Sequence, residues 1–157
     1  MATMQVDPTT LAAELELLVD LGFEYPDGLA PVPQPLPDFP NREAPIGEAA
    51  DVLVITWTIA ELNALADVLT PGHSRRDWYF YRHRFDDHYD AQIRDGAPAK
   101  RNRRLGSWFK TRIGDKSVIC FKSELHLNQD GVRTADGQAT LPVKDLFLQL
   151  IADINPA

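Results

Sequence analysis

The chain has 157 residues, 44% of them hydrophobic and 25% charged, which fits one ordinary globular domain with a single modest core. Its formal charge of −7 and pI near 5.0 argue against a general nucleic-acid binder, which carries a net basic footprint, so any anionic ligand needs a local basic patch. The lone Cys120 excludes an internal disulfide framework and reads as a packing residue in a reducing, cytoplasmic compartment. No apolar run approaches the ~20 residues that span a bilayer, and Met1 to Asp7 lacks the basic-then-apolar pattern of a signal peptide, so neither membrane insertion nor export is expected.

The first element, in residues 1–24, is an amphipathic helix after Asp7-Pro8: Leu11, Leu15, Leu18 and Val19 recur at helical spacing and Gly22 stands as a stop. Glu14, Glu16 and Asp20 make its other side acidic, a solvated face or a docking surface for a partner. Residues 25–48 hold Pro26, Pro31, Pro33, Pro35, Pro37, Pro40 and Pro45, which forbid a helix and favour extended backbone in a stiff linker or arm.

Residues 49–157 then read as an α/β domain with a mixed sheet. Val52-Leu53-Val54-Ile55-Thr56 is a nearly unbroken aliphatic run and predicts a buried strand. Thr58 opens a helix through Ile59 to Leu69, closed by Pro71-Gly72. Trp78 to His83 predicts an aromatic strand, of which one alternate pair, Trp78 with Phe80 or Tyr79 with Tyr81, faces any pocket. Asp86 to Arg104 is polar and turn-rich. Leu105 to Ile113 and Lys116 to Leu125 flank Gly114-Asp115 as a hairpin. Leu127 to Thr140 has few apolar anchors and predicts a mobile loop. Val143 to Ile154 predicts the last helix, after which another strand is the usual continuation of an α/β fold, so the architecture reads as cut off after its first half.

The strand Val52 to Thr56, the turn Trp57-Thr58-Ile59-Ala60-Glu61, the hairpin ending Cys120-Phe121-Lys122-Ser123-Glu124-Leu125-His126-Leu127, and the helix ending Ile154-Asn155-Pro156 together resemble the phosphorylase superfamily. That family contains purine nucleoside phosphorylases and the hydrolytic methylthioadenosine and adenosylhomocysteine nucleosidases. The resemblance covers Ala50 to Ala157 and implies the front part of a protein acting on the N-glycosidic bond of purine nucleosides, by water or by phosphate, without a cofactor. It implies that an acidic residue just after the first strand helps place the attacking water, a position that Glu61 occupies here. The later segments that carry the family's small-residue stretch and its base-protonating Asp are expected beyond residue 157, so catalysis by these residues alone is not expected. Family members act as oligomers, which implies self-association here. A non-catalytic nucleoside-sensing or partner-recruiting module is the competing reading.

Each candidate residue also has a plainer role. Thr58-Ile59-Ala60-Glu61 matches a capping box, and a carboxylate at a helix N-terminus stays ionised, which weakens it as a base. Trp57, at the carboxyl end of the first strand, is placed where open α/β sheets bind ligands. Thr58 and His83 are candidate substrate contacts. Lys100, Arg101, Arg103 and Arg104 form the basic run, with Arg101 and Arg104 the candidate anion contacts; a solvated loop is the alternative. His83, Asp86, Asp87, His88 and Asp90 are dense in metal-ligand types, but their spacing forces no convergence, and no metal is expected. Ser123, Cys120 and His126 lack a nucleophile elbow, and Lys122 with Glu124 reads as a salt-bridged sheet surface.

Overall fold

A computed structural model describes residues 24–127 and 129–157. The predicted N-terminal helix through Leu11 and Val19 lies outside the described residues. The rest is α/β with a mixed, open, five-stranded sheet: β1 (Val32–Pro33), β2 (Val52–Thr56), β3 (Tyr79–Tyr81), β4 (Gly106–Ile113) and β5 (Lys116–Ser123). Three α-helices accompany it, α1 (Ile59–Leu69), α2 (Pro98–Asn102) and α3 (Pro142–Ile154).

The hairpin forms as its sequence predicts. β4 and β5 pair antiparallel from Gly106 with Ser123 to Ile113 with Lys116, and Gly114 takes φ +59° in the two-residue turn, a conformation that residues with a Cβ rarely adopt. β2 lies parallel to β5, with Thr56 beside Lys122. β1 and β3 share the other edge, pairing with opposite ends of β4. β2 pairs with β5 alone among the described residues, so the strand whose aliphatic run predicts full burial is half-buried, with Val52 exposed.

The Pro-rich stretch read as a linker or arm is laid against the domain. β1 pairs with Arg112 and Thr111 of β4, Gln34 donates its amide to the Lys110 carbonyl at 2.8 Å, and Ile46 and Leu36 join the core. Pro33 is tolerated because an edge strand has one side that needs no ladder donor.

Tyr81 and Phe121 meet edge-on at 5.6 Å, under α3, whose Val143, Leu146, Leu150 and Ile154 recur at helical spacing and are buried. The Tyr81 hydroxyl donates to Asp153 at 2.9 Å and accepts from Gln149 at 2.6 Å. Burial raises that phenol far above its ordinary value, so it stays neutral and fixes α3 on the sheet. Asn155 ends α3 in the left-handed region at φ 50°, its amide donating to the Ile151 carbonyl. Against the end of α1, Trp78 donates its indole N–H to Thr70 at 3.3 Å, and Phe109 lies 4.7 Å from the His73 ring. Cys120 is fully buried, and burial pushes its thiol up to about 12, which matches a packing residue.

Two connecting segments take defined conformations. Asp86 to Arg104 is a π-helical turn at Phe85–Tyr89, a 3-10 turn at Asp90–Gln92 and then α2. Residues 129–140, predicted mobile for want of apolar anchors, are held by polar ones. Gly131 bridges Ile93, Thr140 donates its hydroxyl to the Gln92 carbonyl at 2.6 Å, and the buried Asp130 carboxylate accepts from the His126 amide at 2.7 Å.

Candidate functional site

The parallel pair β2–β5 ends at one edge of the sheet, and most of the candidate residues gather there. Chain reversal after β2 is set by the capping box. Thr58 takes extended backbone and its hydroxyl accepts from the Glu61 amide at 3.1 Å. Glu61 Oε2 accepts from the amides of Trp57 at 2.9 Å and Thr58 at 2.8 Å. These hydrogen bonds, that of the Thr58 backbone first and Trp57 second, hold the Glu61 carboxyl below the usual carboxylate range. The group is therefore ionised at neutral pH and is a weak proton acceptor, suited to orienting a donor rather than stripping it.

The cap yields a prediction. Thr58→Ala removes the side-chain half of the box and is expected to cost about 1 kcal/mol in a urea titration at pH 7. The Glu61 half has a depressed folded pKa, so its contribution is complete above the ordinary glutamate pKa and is lost as pH falls through the folded value. A Thr58→Ala loss no larger than experimental error would show that the box does not hold the turn.

Trp57 projects toward α3, its ring 5.8 Å from Phe147. Among the described residues its indole N–H is buried without a hydrogen-bond partner, as is the hydroxyl of Thr56. Buried donors of this kind are costly unless something satisfies them.

Beside Thr56 lies the feature that sequence reasoning misjudged. Lys122 and Glu124, read as a salt-bridged sheet surface, do pair, but they are buried, at 4% and 5% exposed. Their ion pair is 3.0 Å long, and Arg104 donates through one terminal nitrogen to the other carboxylate oxygen of Glu124. Burial by itself would push the Glu124 carboxyl up, but Lys122 and Arg104 together hold it below the usual range. The Arg104 guanidinium also lies over the Phe80 ring at 4.5 Å, and its Nε is buried without a partner among the described residues. The cluster is two cations around one carboxylate. Only the alternation of Lys122 and Glu124 about Ser123 signalled it in the sequence; the third member comes from 20 residues upstream.

The other candidates are dispersed. Arg101 is exposed on α2 and makes no ion pair among the described residues. Lys100 turns to the Ile93 carbonyl and Asp95, and Arg103 to Asp86, so the basic run is not a patch: its members leave in different directions. His83 is bound through Nδ1 to the Glu43 carbonyl at 2.8 Å, and no described contact joins it to Glu61 or Arg104. Asp86 is engaged by Arg82 and Arg103, and His88 lies 3.3 Å from Asp145. Among the described residues no three His, Cys, Asp or Glu side chains converge on a metal position.

His126, dismissed as a nucleophile's partner, is fixed in another way. Its Nδ1 lies 3.1 Å from the buried Asp130 carboxylate, which also has Arg94 at 3.6 Å. It continues β5 past the edge that carries Glu124.

No family model, curated protein or solved structure matches the chain. No helix among the described residues is long and apolar enough to cross a membrane.

Proposed function

We propose that the protein binds a purine nucleoside at the carboxyl edge of β2 and β5, and that this edge is the front part of a site acting on the N-glycosidic bond, which these residues alone do not complete. The sequence resemblance of Val52 to Glu61 and of the β5 end to nucleoside phosphorylases and nucleosidases supports the ligand class. The observation that carries the reading is the juxtaposition at that edge: Thr56, next to Trp57 and the capped Glu61, pairs with Lys122, which is joined through Glu124 to Arg104. Ligands in open α/β sheets bind outside the carboxyl ends of the strands, and this edge is where the charged and aromatic groups collect.

The chemistry follows from what each group is able to do. Cleavage breaks the bond between C1′ of the ribose and the purine nitrogen; the base leaves with the electron pair, and water or phosphate adds to C1′. Positive charge develops on the sugar. Glu61, ionised and locked through Oε2, presents Oε1 to a ribose hydroxyl or to the incoming nucleophile, positioning it and favouring the cationic sugar electrostatically. Trp57 offers apolar surface and an unsatisfied indole N–H for a polar atom of the ligand. Arg104, with Lys122 behind it, is the anion contact in a phosphate-using reaction, Glu124 fixing its guanidinium. No described contact joins Arg101 or His83 to these groups, and neither is assigned a step.

A nucleoside-sensing module without turnover is the second reading, favoured by the two backbone bonds that hold Glu61 as a cap and depress its basicity. Both readings predict saturable binding of adenosine, inosine or 5′-methylthioadenosine by titration calorimetry. Glu61→Gln keeps the acceptor oxygen of the cap but loses the charge, and is expected to weaken nucleoside binding about tenfold, ~1.4 kcal/mol, while leaving free adenine unaffected. Release of free purine by chromatography, with and without phosphate, separates the readings. Absence of binding by every nucleoside, or equal affinity of the Glu61→Gln variant, contradicts both.

A further inference from the structure

A concave surface lies along the β3 side of the sheet. Between Phe39–Arg42 and Arg76–Phe80 runs a cleft of about 430 Å³, lined by Phe39, Arg42, Arg76, Trp78, Tyr79 and Phe80 with Pro40 and Asn41. That volume lies within the range of small-molecule pockets. We infer that this cleft binds a planar aromatic anion, its ring against the exposed Phe39 and its carboxylate or phosphate between Arg42 and Arg76.

The aromatic half is built to stay in place. Tyr79 stacks on Phe109 at 5.4 Å and 8°, and its hydroxyl accepts from the Leu36 amide at 2.7 Å. Trp78, 2% exposed, is tethered to Thr70. Phe39 stands edge-on to Tyr79 at 5.8 Å and is 83% exposed, an aromatic surface with nothing over it among the described residues. Phe80 is half-exposed, one side covered by Arg104. The buried Tyr79 backs the exposed Phe39, whose open ring is what an incoming ring uses, by stacking or edge contact.

The charged half carries a deficit of acid. None of the lining residues is acidic. Arg76 makes no ion pair among the described residues, and Arg42 reaches only Glu43, at 3.9 Å, while Arg82 holds the same carboxylate at 3.2 Å. Two loosely engaged guanidinium groups in a chain of net charge −7 form a local attraction for an anion, and guanidinium recognises carboxylate or phosphate by paired N–H donors. The inference does not rest on the nucleoside reading.

Titration calorimetry with 2-naphthoate and its neutral isostere 2-naphthamide tests it. 2-Naphthoate should bind saturably and at least tenfold more tightly than the amide. The Arg42→Gln/Arg76→Gln double variant should bring 2-naphthoate down to the level of the amide, and Phe39→Ala should weaken both. These side chains are exposed, so thermal midpoints should match the parent, and 2-naphthoate binding is compared only where they do. Equal affinity for the two probes, no saturable binding at millimolar concentration, or undiminished binding by the double variant overturns the inference.

Discussion

Glu124→Gln is expected to lower stability by about 3 to 5 kcal/mol, because it leaves Lys122 and Arg104 facing each other in the interior with no counter-charge. The carboxylate lies 3.0 Å from Lys122 and is also bonded by Arg104, and two of the three groups are almost wholly buried. For a chain of this size the thermal midpoint should fall by roughly 10 °C. The pH dependence has a definite sign. The folded pKa of Glu124 is depressed by its two cations despite burial, so its stabilisation is complete above the ordinary glutamate value of about 4.3 and is lost as pH falls through the folded one. The gap between parent and variant should therefore be constant near neutrality and close in acid. A companion variant separates charge imbalance from packing. Replacing all three groups, by Lys122→Met, Glu124→Leu and Arg104→Met, removes the charges together and should recover most of the loss, since a buried ion cluster replaced whole by apolar groups costs little. A small loss in Glu124→Gln, or a triple variant worse than the single one, would contradict the arrangement.

Gly106→Ala is expected to cost about 3 kcal/mol. Its Cβ would stand 2.5 Å from the Lys122 carbonyl oxygen and closer still to the Phe121 ring. β4 pairs here with β3 on one side and β5 on the other, so the backbone has little room to retreat. Trimming the ring with Phe121→Leu relieves half of the conflict and leaves the carbonyl, so the double variant should be no more stable than Gly106→Ala alone once the lost packing is included. Gly47→Ala is the control: nothing lies within 4 Å of its added Cβ, and its effect should stay within about 0.5 kcal/mol. Urea titrations of the three variants decide the point, and a near-neutral Gly106→Ala would mean that β4 and Phe121 do not approach as described.

The elements legible in the sequence were those whose signal is local. The Thr58–Glu61 box names its own helix start, Gly114-Asp115 its own turn, and the four-residue spacing of Leu146, Leu150 and Ile154 the buried side of α3. What stayed hidden depended on residues distant in the chain. Seven prolines between Tyr25 and Pro45 speak of extended backbone but not of the Arg112 and Thr111 partners that turn part of it into β1. Lys122 and Glu124 alternate as a surface strand does; their burial follows from Arg104, the flanking strands and the Phe80 ring. The basic run from Lys100 to Arg104 looks like one patch until helical geometry and an Arg103 backbone at φ 47° send Lys100, Arg103 and Arg104 to separate acceptors and leave Arg101 exposed. At the candidate site the sequence named Trp57, Thr58, Glu61 and Arg104, and it took the paired register of Thr56 with Lys122 to show which of them share an edge.

The central claim is that the carboxyl edge of β2 and β5 is the nucleoside site. Amide and indole NMR spectra of the isotopically labelled protein, recorded while adenosine is added, test it most directly. The account predicts saturable shifts in the Trp57 indole N–H and in the amides of Thr58, Glu61 and Glu124 to His126, with those of Phe39, Asn41 and Arg42 unmoved. Shifts confined to the cleft between Phe39 and Phe80, or none at all, would contradict it.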